Sequence, residues 1–400
     1  MKLASDTSHS KKSKFIANVA TLAVSLLVAL LIGEVLLRLI PIPGIQLNTA
    51  DYSPLVGAAL TPGVVNTYRN ERGACVRRRI NQFGYMDKDH NPDNPSGLYR
   101  IGFFGDSYTE ARQVPLEDTF FRVIERDLGP DRVECLAFGV SGFSMFQSYL
   151  TCTRWLDFFD LDLAVYVFCE NDIGDQIREV HGSSNSPYPI LTPTGIEVDN
   201  SFRKKNAYRD KFYFRVGNFL TSHSLVIATI WDRARLLARY GIKIRVTEAD
   251  RMMAGRTANK VREDGYPRQG DPPSLWPDTL RTYAENLGKA VILKWKDDVE
   301  RSGRKFAILY IPRGEIQDEK MAQDSWKPWL QGLCAAEGIP FIDTTPRLLE
   351  AMGMGKEVFF DHFTKDGHVA AADAFTTWFR STFPDYRALT PRAHPTVENR

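Results

Sequence analysis

Residues Arg100–Ser107 read RIGFFGDS, an apolar run closed by Gly105-Asp106-Ser107, and the segment FRVIERDLG that follows sets Phe121, Ile124 and Leu128 on one helical face. A strand that passes through a tight polar turn into a helix presents its last hydroxyl at the strand's carboxyl end, beside a helix N-terminus. Ser107 stands where a nucleophile is useful. The same rhythm recurs outward from this stretch. VECLAFGVSG precedes FQSYLTCTRWLDFF, LDLAVYVFCEND follows, YAENLGKAVILKWKDDVERSG precedes KFAILYIP, and WLQGLCAAEG precedes IPFIDTTP. Strands alternating with helical segments predict a three-layer, doubly wound (flavodoxin-like) α/β fold with about five parallel strands.

Two further turns fall just past predicted strands, at Gly142 in FGVSGFS and at Asn171 in CENDIGD. A glycine backbone N–H and an asparagine side-chain amide on the same sheet edge as Ser107 can both donate to a developing oxyanion. A base must be in reach, and the chain has seven histidines. His9 precedes the apolar N-terminal stretch and His394 sits in a Pro-rich tail. His90, His181 and His223 lie in the lead-in or in a loosely patterned insertion. His362 and His368, in FFDHFTKDGHVAAADAF, remain as candidates for the general base.

Taken in order, GDSYTEARQVPLEDTF, LAFGVSGFS, ENDI and DHFTKDGHVAAADAF resemble the SGNH/GDSL hydrolase superfamily over about Arg100 to Arg387. The span that ends in a Glu-x-x-x-Arg step is similar to that of the membrane-anchored branch of the same superfamily. The resemblance implies Ser107 as nucleophile, Gly142 and Asn171 as oxyanion donors, and a late Asp/His pair. Two departures stand out: Cys169 occupies the position two before Asn171 where the family commonly has Gly, and neither histidine follows an Asp at the usual third position, which holds Phe359 or Lys365. Two pairings therefore compete. In the favoured one, His362 is the base and the adjacent Asp361 orients it. In the other, Asp366 and His368 form the pair, and under the first pairing His368 becomes a packing or capping residue at the start of the last helix.

The implied reaction is acyl transfer through a serine ester, which requires no metal or cofactor. The expected substrate is an ester-bearing small molecule, glycan or lipid, with O-acetyl groups of cell-envelope carbohydrate as the leading case. A lipid ester is the same-class alternative, suggested by Leu225, Ile227, Ile230 and Trp231, and an inactive binding module is the alternative of a different class.

Phe15–Gly33 runs without a charge, and Lys2, Lys11, Lys12 and Lys14 precede it. At ~1.5 Å per residue such a run approaches the ~30 Å hydrocarbon core, and flanking lysines keep their side in the cytoplasm. The expectation is a single-pass membrane protein with its catalytic part periplasmic or extracellular. The boundaries read as a cytoplasmic tail at 1–14, a span at 15–37, a tether and lead-in at 38–96, a hydrolase domain at 97–387 with an insertion at about 175–277, and a tail at 388–400. Glu34 and Arg38 meet at i,i+4, and Pro41 and Pro43 end the helix.

Composition narrows the rest. With 51 basic against 49 acidic residues there is no field to hold a phosphate backbone, so nucleic-acid binding is not expected. The five cysteines show no C-x-x-C pair, and Cys135, Cys152 and Cys169 sit among apolar neighbours as core residues. Oligomeric state has no signature in the sequence.

Overall fold

The computed structural model describes residues 6–40, 42, 44–70, 72–240, 266–268, 270–312 and 324–386. Pro41, Pro43, the 388–400 tail and much of the Gly/Pro/Arg-rich part of the insertion lie outside them. The described residues fall into two compact units, one from Met1–Thr49 with Phe212–Glu248 and one from Ala50–Lys211 with Ala249–Arg400.

The first unit is helical. Helix α1 (Asp6–Leu39) contains a 26-residue stretch, Lys14–Leu39, long and apolar enough to cross a membrane, with none of its apolar window buried.

The second unit begins with two antiparallel hairpins, β1 (Ala50–Ser53) with β2 (Gly57–Leu60) and β3 (Val65–Arg69) with β4 (Cys75–Arg79). Sequence reading takes 38–96 as a tether, because strands of four or five residues are too short to show a period. In the structure this segment is packed: Ile80, Tyr85, Met86, Asp87 and His90 are all buried. Strand β5 (Tyr99–Gly105) leads into the single turn α2 (Ser107–Glu110), and α3 (Phe120–Leu128), β6 (Val133–Gly139), α4 (Met145–Trp155) and β7 (Leu163–Cys169) follow. Past β7 come the short helices α5 (Asp172–Asp175) and α6 (Arg178–His181), the hairpin of β8 (Tyr188–Thr192) and β9 (Gly195–Asp199), and α7 (Ser201–Asn206). Helices α8 (Phe212–His223) and α9 (Leu225–Tyr240) belong to the first unit. The chain closes with α10 (Asp278–Arg301), β10 (Lys305–Ile311), α11 (Lys327–Glu337), β11 (Phe341–Asp343), α12 (Thr345–Gly353), the two-residue strands β12 (Phe359–Phe360) and β13 (His362–Phe363), and α13 (Lys365–Thr382).

Strands β11, β10, β7, β5 and β6 form one parallel sheet in that order, the five strands expected from the sequence. Alternation along the strands divides the core in two. Phe104, Phe138, Tyr166, Phe168 and Tyr310 point to the layer of α4 and α10, where Trp295 is fully buried. Ile101, Phe103, Val165, Val167 and Leu309 point to the layer of α3, α12 and α13, against Phe120, Leu348 and Phe375. Each such side chain contributes roughly 1.5–3 kcal/mol of burial. Cys135, Cys152 and Cys169 are buried and unpaired, as their apolar neighbours imply.

Numbered by first appearance, the sheet order is 2-1-3-4-5, so the chain reverses direction of travel between the first strand, β5, and the third, β7. That switch point opens a crevice at the carboxyl ends of the strands, where α/β sheets place their ligands.

Candidate active site

Register brings the site loops level with one another. Gly105 at the end of β5 pairs with Gly139 at the end of β6, and Phe104 pairs with Tyr166 of β7. A Cβ on Gly139 would fall 2.3 Å from Glu110 N, so only glycine lets the turn that carries Ser107 close over β6. Asp106 caps that turn, its Oδ1 accepting the Tyr108 N–H at 3.0 Å. Its other oxygen accepts Asn171 Nδ2 at 3.1 Å and lies 3.4 Å from Ser107 Oγ. One carboxylate oxygen therefore lies beside the second residue after β5 and the second after β7.

His362 arrives from β13. Its Nε2 lies 2.8 Å from Ser107 Oγ and its Nδ1 lies 3.1 Å from Asp361 Oδ2, with the ring tilted against Tyr108 at 5.1 Å between centroids. The histidine side chain is 20% exposed and that of Asp361 is 65% exposed. A proton on Nδ1 directed at the carboxylate leaves the Nε2 lone pair facing the serine hydroxyl, the tautomer that general-base action requires. The three residues form a serine–histidine–acid chain of hydrogen bonds at the switch point of the sheet.

The five described parallel strands make the doubly wound α/β sheet that the sequence predicts. The four sequence blocks occupy the sheet edge that the order 2-1-3-4-5 creates. No family model and no curated protein matches the sequence. Among solved structures this chain is similar to an acetyl xylan esterase, AlAXEase, at 12% identity, with 70% of this chain and 99% of that chain covered and a TM-score of 0.34. It is also similar to a putative G-D-S-L family lipolytic protein from Desulfitobacterium hafniense, at 9% identity over 70% and 98% of the two chains with a TM-score of 0.34. A catalytic mutant of an acetylxylan esterase from Geobacillus stearothermophilus is similar at 12% identity over 70% and 93%, with a TM-score of 0.33.

Gly142 occupies the third position of the turn closed by Phe143 N to Val140 O, with φ +80°, a conformation that favours glycine. A capping box between Ser144 and Gln147 then starts α4 at once. Asn171 donates to both Asp106 and Asp175, so both of its amide protons are engaged in this structure. Cys169 is absorbed into the same network through its thiol, 3.4 Å from Asp106 Oδ1. Asp172 accepts from Tyr166 OH and from Cys169 N, and burial, reinforced by the charges of Asp106 and Asp175, pushes its carboxyl well above the usual range.

His368 takes a different place. It is buried at the start of α13, where Nδ1 accepts the Phe120 N–H at 3.2 Å and the ring stacks on Phe120. Burial, aided by the Arg78 and His362 charges, lowers its pKa to about 3. Asp366 lies in the first turn of the same helix.

Two supporting residues are absent from the sequence reading. Glu110 is buried, and its Oε2 accepts the Ser141 N–H, tying the nucleophile turn to the loop of Gly142. Arg78, in the lead-in, turns inward and donates to the carbonyls of Ala111 and Met86, closing the C-terminal end of α2. Burial lowers its pKa to about 10. A glutamate in a first helical turn and an arginine in a basic run both read as solvated, so neither carries a signal in a single sequence.

Proposed function

We propose that this chain is a serine ester hydrolase or O-acyltransferase in which Ser107 is the nucleophile, His362 the general base and Asp361 its orienting acid. The observation that carries the reading is the 2.8 Å contact between His362 Nε2 and Ser107 Oγ. His362 takes the hydroxyl proton as Oγ adds to the ester carbonyl, giving a tetrahedral oxyanion opposite the Gly142 N–H and the Asn171 amide. Collapse breaks the bond to the alkoxy oxygen, which leaves with the proton from His362. Water or an acceptor hydroxyl then surrenders a proton to His362 and attacks the acyl-enzyme, restoring Ser107.

The substrate proposed is O-acylated carbohydrate of the cell envelope. Asp361 is 65% exposed and, among the described residues beyond its two chain neighbours, nothing stands within 4 Å of where a Gly142 side chain would begin, so the rim is open to a bulky acceptor. Helix α1 supports a location at the outer face of a membrane, with the N-terminal lysines inside.

The test is turnover of p-nitrophenyl acetate, and acetate release from acetylated xylan, by the full chain in detergent. Ser107→Ala and His362→Ala are expected to abolish both activities while His368→Ala keeps them. Loss in His368→Ala with His362→Ala spared would overturn the assignment in favour of Asp366 and His368.

A further inference from the structure

In the first unit, the last turns of α1 clamp a helical joint. Glu34 accepts the backbone N–H groups of Leu225 at 3.2 Å and Val226 at 3.1 Å, together with Ser224 Oγ at 2.9 Å, and so caps the N-terminus of α9 from another helix. Arg38, paired with Glu34 at 2.8 Å, donates to the His223 carbonyl at 2.9 Å and satisfies the C-terminus of α8. Gly33 brings the backbone of α1 against Val226. Asn48 fixes α8 again, through Asn218 Oδ1, the Thr221 carbonyl and Ser222 Oγ. The joint is thus held at the level where the apolar run of α1 gives way to charge.

Both helices carry an apolar stripe at i, i+4, i+7 that faces solvent. On α8 it is Phe212, Val216 and Phe219, 82%, 38% and 60% exposed. On α9 it is Ile230, Ala234 and Leu237, flanked by Trp231, with Ile230 58% and Trp231 56% exposed. Such stripes normally face a core. Arg215 and Arg233 border the stripes, three positions after Phe212 and Ile230, Arg235 borders the other flank beside Trp231, and with Asp232 as the one acid they give the helices a net positive charge. Helices with aromatic apolar stripes bordered by arginines lie in a membrane interface, the stripe ~5–10 Å into the boundary between headgroups and acyl chains and the guanidinium groups reaching to the headgroups.

We propose that the occupant of these two stripes is the phospholipid bilayer that α1 crosses, with α8 and α9 lying in its interface as a second membrane attachment. The proposal rests on α1 being a membrane span and is independent of the ester chemistry. Continuity argues for lipid: Glu34 and Arg38 fix the α8–α9 joint to the end of a bilayer-length helix, and the stripes extend from that joint.

The experiment uses the full chain carrying Cys75→Ala, which removes the exposed thiol, with single cysteines at Val24→Cys, Phe219→Cys, Ile230→Cys or Arg233→Cys. Each is labelled with nitrobenzoxadiazole and reconstituted into phosphatidylcholine–phosphatidylglycerol vesicles. Labels at 219 and 230 are expected to be blue-shifted, quenched by a shallow nitroxide lipid and protected from aqueous iodide. The label at 233 should be quenched by iodide, and the label at 24 by a deep nitroxide only. Iodide quenching at 219 and 230 equal to that at 233 overturns the proposal while leaving α1 in the bilayer. Protection from both quenchers at 219 and 230 also overturns it, since protein then covers the stripes. A label at 24 that no lipid nitroxide reaches removes the span, and the proposal falls with it.

Discussion

Asp361 holds its carboxylate 3.1 Å from Nδ1 of His362, its immediate neighbour in the chain, because Asp361 itself adopts a left-handed backbone with φ +66°. It forms the apex between β12 and β13, where Phe360 pairs with His362 and Phe359 with Phe363. Aspartate tolerates this region better than most residues with a Cβ. The turn swings the acid back over its own histidine and leaves the imidazole free to reach Ser107. An acid adjacent in sequence thus reaches Nδ1 through a one-residue turn, at the expense of burial.

An exposed acid screened by water does less than a buried one. Asp361→Ala is therefore expected to lower kcat by about 10- to 100-fold with KM little changed, whereas His362→Ala lowers it by about 10⁴-fold or more. Steady-state kinetics on the two variants decide the matter, and equal losses would contradict the minor role given to Asp361.

Asn171 must release one N–H from Asp106 or Asp175 to meet an oxyanion. Removal of one oxyanion donor costs on the order of 10²–10³ in kcat. Asn171→Ala is expected to show that loss in kcat at nearly unchanged KM, and an unaltered kcat would leave the amide a purely structural role.

Glu110 acts through the loop of Gly142. Glu110→Ala removes the acceptor of the half-buried Ser141 N–H, with an expected cost of about 0.5–1.5 kcal/mol in stability and a fall of roughly tenfold in kcat. Glu110→Gln keeps an acceptor oxygen and should restore most of kcat. A purely structural role would lower the Tm of Glu110→Ala and leave the kcat of the folded enzyme intact.

The fold was legible because the apolar runs at 99–105, 133–139 and 163–169 are each closed by Gly, Asn or Asp and followed by helical periodicity. Ser107 was legible because it follows such a run, and His362 by elimination among seven histidines together with the resemblance; the structure sets their side chains 2.8 Å apart. Arg78, His90 and Glu110 were not, since each is a polar residue in an ordinary polar context that becomes buried only through tertiary packing. His90 bridges Asp87 at 3.0 Å and Glu134 at 2.7 Å, and Arg100 closes the network on Glu134 at 2.8 Å. Nothing in the lead-in's composition distinguishes such a network from a solvated tether.

Stability should fall in acid in two stages. Burial lowers the pKa of His368 from 6.5 to about 3, so below about pH 6.5 the unfolded chain takes a proton that the folded chain refuses. Stability drops from there towards pH 3. His90 has the opposite sign: burial opposes its charge, but Asp87 and Glu134 overcome it and raise its pKa. Its contribution is present below about pH 6.5 and lost as the pH rises through the folded value, which partly offsets His368. In Glu134 and Asp87 burial is likewise opposed and outweighed, chiefly by His90 in the first and by Arg122 and His90 in the second, and both are lowered to about 2. Their contribution is lost below about pH 4.5, which steepens the decline. Thermal melts against pH should show this profile, and His368→Gln, which keeps an acceptor for the Phe120 N–H, should flatten the stage between pH 6.5 and 4.5. An unchanged slope there would contradict a neutral buried His368.

The central claim, that Ser107 is a nucleophile activated by His362, is tested most directly by intact-mass analysis after exposure to a fluorophosphonate. The account predicts one adduct per wild-type chain, located at Ser107, absent in Ser107→Ala and formed far more slowly in His362→Ala. A wild-type chain that takes no adduct while correctly folded, or an adduct that persists in Ser107→Ala, would contradict it.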